Sequence, residues 1–141
     1  MTLEQTAVEA VNAEFYKALE SCNLAAMEKV WLHESWVRCV HPGSEILVGW
    51  PEIRRSWVSI FGNTHGMKVS LTNIFIKTIG DFAWVECTEN IATFFEQGFT
   101  SGQAQTTNIY LKVKDKWLMV HHHASPLPMD VPDDWNDDIL Q

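Results

Sequence analysis

The sequence predicts an α+β fold in which three helices precede an antiparallel sheet and pack on one face of it. Three observations carry that reading. Apolar residues recur at helical spacing as far as Phe61, they switch to strand alternation from Met67 onward, and short polar turns separate the strand-like runs. At 141 residues, 46% hydrophobic, with seven Trp and seven Phe, the chain is long and apolar enough to bury the core of one domain.

In order along the chain, Leu3, Val8, Val11, Phe15 and Leu19 mark a long amphipathic helix ending near Cys22. Asn23 caps a second helix whose buried side carries Leu24, Met27, Val30 and Trp31, and His33, Glu34 and Ser35 close it. Trp36–Val40 is a short strand stopped by the turn residues His41, Pro42 and Gly43. A third helix opens at Gly49-Trp50-Pro51, with Pro51 in the first turn, where its missing N–H does no harm. Ile53, Trp57, Ile60 and Phe61 form its apolar stripe, and Gly62-Asn63 ends it. Met67–Ile79 and Phe82–Glu96 are strands joined by a hairpin at Gly80-Asp81. A looser turn over Gly98–Gly102 leads into a last hairpin, Thr106–Pro126, which reverses at Lys114, Asp115 and Lys116.

The last strand organises the functional reading. By strict alternation Trp117, Met119, His121 and His123 share one face, and Leu118, Val120, His122 and Ala124 share the other. Trp117 and Met119 turn their face inward, so His121 and His123 are expected inside and His122 outside. Buried imidazoles need polar partners, which a pocket with a few polar groups supplies. The pair, with His41 as a third ligand, also has a spacing at which zinc is held. No carboxylate completes that set, so a hydrogen-bonded histidine cluster without metal is expected, and no cofactor is implied. Trp31, Trp57, Phe61, Cys39, Ile109 and Met119 are the candidate pocket wall, although aromatic residues at helical spacing also serve as plain core. Glu86 and Glu89 fall on opposite faces of one strand and so do not form a paired-carboxylate site.

A formal net charge of −8 leaves no basic stripe for nucleic acid. Cys22, Cys39 and Cys87 have no CxxC spacing and read as small buried residues of a reducing compartment. The N-terminus carries acids where a signal peptide has lysines, and no apolar run approaches a membrane span. A soluble cytoplasmic protein is expected, with one domain over residues 1–128. Residues 129–141, rich in Pro and Asp, read as a solvated acidic tail.

Val40-His41-Pro42-Gly43, Gly49-Trp50, Asp81-Phe82-Ala83-Trp84-Val85 and Trp117–Pro126 together resemble the SnoaL-like branch of the NTF2-like superfamily, over Thr2–Pro128. The resemblance implies a cone: a strongly curved antiparallel sheet folded around three helices, with a cavity opening at one end and a homodimer formed through the outer sheet face. That superfamily spans ketosteroid isomerase, polyketide cyclases, dehydratases, epoxide hydrolases and a kinase association domain, so the fold supplies a pocket and not a reaction. In the isomerase the general base is an Asp before a Pro-Gly-like turn. The matching position is His41, whose imidazole, with an ordinary pKa of about 6.5, also moves protons. The isomerase's first-helix Tyr resembles Tyr16, a donor for a developing oxyanion. Its late-strand acid has no counterpart in Asn108-Ile109-Tyr110-Leu111. The expectation is a cavity that binds a small hydrophobic metabolite and moves a proton through His41. His121 and His123 would orient the substrate, in isomerase, cyclase or lyase chemistry. The alternative is a non-catalytic ligand-binding or dimeric module of the same fold.

Overall fold

α1 (Leu3–Glu20) starts where the sequence supplies a complete cap: the Thr2 hydroxyl accepts the Gln5 N–H, and the Gln5 side chain accepts the Thr2 N–H. α2 (Leu24–Val30) is capped by Asn23, as its sequence predicts. β1 (Arg38–Val40) and β2 (Leu47–Val48) follow, then α3 (Trp50–Gly62), β3 (Gly66–Ile79), β4 (Phe82–Phe95), β5 (Gly98–Val113) and β6 (Lys116–Pro126). This computed structural model describes residues 1–128, and the stretch expected to be an acidic tail lies outside them. Gly49 precedes α3 with φ 86°, and a Cβ there would stand 3.3 Å from the Ser35 carbonyl. Glycine is therefore required at the joint that sets the direction of α3.

The strands form one curved sheet in the order β2-β1-β6-β5-β4-β3, with α1 packed on β3 and β6. Val8, Phe15, Met27, Ile53, Trp57, Val85 and Met119 are fully buried between the layers. The expected α+β cone is present, with one difference of direction. β1 pairs with β6 in parallel, as does the single bridge from Trp31 to Met119, whereas the other strand pairs among the described residues are antiparallel. These two strands are distant in sequence and joined by no hairpin, so nothing forces them to oppose.

Two bulges shape the sheet. On β3 the pairing passes from Thr72–Thr88 to Phe75–Glu86, which leaves one extra residue beside Asn73, a residue at φ 54°. On β6 it passes from Met119–Tyr110 to His121–Ile109, leaving Val120 as the extra residue. A bulge bends its strand and reverses the facing of everything beyond it. The expected facing of the last strand is corrected accordingly. Trp117 and Met119 are inside, but beyond Val120 the buried residues are His122 and Ala124, with His121 half-buried and His123 exposed on the outer face. Val120, expected outside, is itself buried. The looser turn expected over Gly98–Gly102 is also corrected: a tight turn at Glu96-Gln97 joins β4 to β5, and Gly98–Gly102 is strand.

Candidate functional site

A cavity of about 330 Å³ opens between the helices and the curved sheet. Its wall is mainly apolar, from Leu19, Trp57, Ile60, Met67 and Ile91, and among the described residues three titratable side chains reach it: His41, Glu89 and His122. Each arrives from a different element. His41 stands just past the end of β1, Glu89 is inward on β4 with Ala83, Val85 and Cys87, and the β6 bulge delivers His122.

A buried polar network fixes these groups from behind. The Asn108 amide donates through Nδ2 to Asn12 Oδ1 at 3.1 Å and to the Tyr16 hydroxyl at 3.1 Å, while its Oδ1 faces His122 Nδ1 at 2.6 Å. Tyr16 donates in turn to Glu89 Oε2 at 2.6 Å, and the Tyr110 hydroxyl donates to Asn12 Oδ1 at 2.7 Å. Of the six buried polar residues among the described residues, four, Asn12, Glu89, Asn108 and His122, belong to this one assembly. On the other wall His41 Nε2 lies 2.8 Å from Ser56 Oγ, whose own proton goes to the Ile53 carbonyl at 2.6 Å. Ser56 therefore accepts, and His41 carries its proton on Nε2. The two imidazoles lie 6.4 Å apart, His41 edge-on to Trp57 at 4.7 Å and His122 against Phe15 at 4.9 Å.

Burial sets the protonation states. It lowers the His41 pKa to about 4 and drives that of His122 well below 6.5, with the other histidines adding to the effect on His122. It also raises the Glu89 carboxyl, against the Tyr16 hydrogen bond, and pushes the Tyr16 phenol far above its ordinary value. The cavity thus presents neutral imidazoles and a carboxyl biased toward its neutral form. Among the described residues no group of three or more His, Cys, Asp or Glu is placed to hold a metal ion.

A profile of the SnoaL-like domain matches residues 8–130. The chain belongs to the SnoaL-like domain family. A Streptomyces avermitilis NTF2-like protein, described as a candidate dehydratase, is 31% identical and superposes with a TM-score of 0.84, over 89% of this chain and 97% of its own. A candidate calcium/calmodulin-dependent protein kinase type II association domain from Thiobacillus denitrificans is 30% identical with a TM-score of 0.76, over 85% and 94% of the two chains. F-box protein SKIP8 of Arabidopsis thaliana is 28% identical over 124 residues, which are 88% of this chain. The chain spans about half, 51%, of that relative's length.

The SnoaL-like cavity gathers some of the residues singled out from sequence and leaves others elsewhere. His41 and Trp57 line it. Tyr16 stands directly behind Glu89. Cys39 is buried under the His41 ring, with Sγ 3.7 Å from Nε2, and Phe61 lies tilted against Trp57, ring centroids 5.7 Å apart. Trp31 and Met119 are plain core, Trp31 lying against Trp50 at 6.0 Å. Ile109 pairs with His121 in the outward-facing register, so neither it nor the His121/His123 pair belongs to the cavity.

Sequence reasoning missed Glu89, His122, Asn108, Asn12 and Ser56. Two of these had a signal. Glu89 shares parity with Ala83, Val85 and Cys87, which are small and apolar, and Asn12 lies one helical turn from both Val8 and Tyr16. Glu89 is a buried carboxyl from β4, and Asn108 is the amide that ties it, through Tyr16, to His122.

Proposed function

We propose that this SnoaL-like domain binds a small, largely apolar molecule in the cavity, and that proton transfer to or from it runs through His41 and His122, with Glu89 as the acid. The observation that carries this reading is the convergence of two neutral imidazoles and a buried carboxyl on one apolar cavity, held from behind by Tyr16, Asn108 and Ser56. Pairs of groups whose surroundings push their pKa values apart are a recurring acid–base arrangement. A relative described as a candidate dehydratase fits chemistry of that kind. Given a turnover substrate, His41→Gln and His122→Gln are each expected to lower kcat by about 10²–10⁴-fold.

The binding part is tested without knowing the substrate. Gly102 lines the cavity and has open space where a Cβ would stand. Gly102→Phe is expected to keep the fold while filling the cavity and abolishing tryptophan-fluorescence responses to small apolar alcohols. An unchanged response would sink the assignment of ligand to cavity.

A second reading is self-association. Phe75, Ile79 and Phe82 are exposed at 49%, 59% and 52%, and one relative is described as an association domain. We propose a homodimer through this outer face, compatible with the enzymatic reading. Free Cys22, Cys39 and Cys87 support a reducing, cytoplasmic setting.

A further inference from the structure

We infer that the molecule selected by the cavity is neutral and carries a hydroxyl, which it donates to Nε2 of His122. This deepens the small-molecule reading above and rests on it.

The hydrogen bonds themselves dictate the direction of donation. Both amide protons of Asn108 are committed, one to Asn12 and one to Tyr16, so its Oδ1 is what meets His122 Nδ1 at 2.6 Å. A carbonyl oxygen only accepts, so Nδ1 holds the ring proton. A neutral ring protonated at Nδ1 bears a lone pair at Nε2, and Nε2 has no partner among the described residues. His122 lines the cavity, so that lone pair is the acceptor offered to a guest. His41 does not compete for the guest's proton through Nε2, because that nitrogen is already donating to Ser56.

Charge excludes the obvious alternatives. No Lys or Arg is among the described residues lining the cavity, so a carboxylate or phosphate would lose its hydration there with no cation to meet it. An ammonium would face two uncharged imidazoles and a carboxyl whose burial favours the neutral form. A pure hydrocarbon would fit the apolar wall but leave His122 Nε2 unpaired away from water. A hydroxyl on an apolar frame satisfies the acceptor and the wall together. Sites built to pair a hydroxyl discriminate against guests that lack it.

The test compares four probes of one shape by calorimetry and tryptophan fluorescence: 1-indanol, indane, indane-1-carboxylate and protonated 1-aminoindane. Indanol is expected to bind roughly fivefold or more tighter than indane, the size of one net hydrogen bond. It should exceed both charged probes by about tenfold or more. In His122→Phe the preference for indanol over indane should be lost. Tighter binding of either charged probe, or equal binding of indanol and indane by wild type, would overturn the inference and leave the cavity reading standing. Binding of none of the four would overturn the cavity reading and this inference with it. The wild-type ranking decides the matter even where His122→Phe does not fold.

Discussion

Asn108 decides where the site's protons sit. It is fully buried, touches neither solvent nor the cavity wall, and spends every hydrogen-bonding atom on Asn12, Tyr16 and His122. Its influence on the imidazole is therefore one of orientation and tautomer. Tyr16 plays the matching part for Glu89, giving a carboxyl that is 2% exposed a short hydrogen bond. Tyr16→Phe keeps the ring and removes that donor, and is expected to cost about 1–3 kcal/mol of stability by urea denaturation. A variant as stable as wild type would show that Glu89 is satisfied in some other way. The cysteines follow the same logic of burial. Cys39 and Cys87 are fully buried and their thiols are pushed up, Cys87 to about 11, so both are expected to react with thiol reagents only on unfolding.

The decisive element is the bulged strand β6. Alternation placed Trp117 and Met119 correctly, and one extra residue at Val120 then moved the inward histidine from His121 to His122. The run Met-Val-His-His-His carries no glycine or other local mark of a bulge, so this part of the site was not legible from pattern alone. The helices and the four long strands were legible, because caps, Pro51, hairpin turns and a change of hydrophobic period are all local signals. What local signals do not report is which distant strand lies alongside, and so the parallel β1–β6 pair and the Asn12–Asn108 contact emerge only from the fold. Deleting Val120 restores plain alternation with Met119 and His122 still inward. That variant is expected to lose about 1–3 kcal/mol for the buried valine side chain while His122 keeps its low pKa. An ordinary imidazole titration at His122 in the deletion variant would show that the bulge, and not the strand beyond it, holds the ring inside.

For the whole molecule the buried titratable groups shape stability against pH. His41, His121 and His122 all bind protons less readily folded than unfolded, His41 with a pKa of about 4, and burial is the leading cause for each. Between about 4 and 6.5 the unfolded chain therefore holds more protons at these sites, and stability rises with pH. Glu89 works with the opposite sign. Its raised pKa lets the folded state keep a proton that the unfolded chain has lost, so its contribution is present at low pH and fades as pH climbs above the ordinary carboxylate value. The urea midpoint is expected to rise from pH 4 to 6.5, and more steeply in Glu89→Gln. A shallower slope in that variant would mean Glu89 is ionised throughout. At the outer face, sedimentation at micromolar concentration is expected to show a dimer, and Phe82→Asp to shift it toward monomer. A wild-type monomer would remove the self-association proposal.

The most direct measurement is a pH titration of the imidazole rings followed by ¹⁵N NMR. At neutral pH His122 should carry its proton on Nδ1 and His41 on Nε2, as their partners Asn108 and Ser56 dictate. On acidification His41 should titrate at about 4 and His122 well below 6.5. A His122 ring that is protonated at Nε2, or that titrates near 6.5, would contradict the buried acceptor on which both the hydroxyl inference and the proton-transfer reading depend.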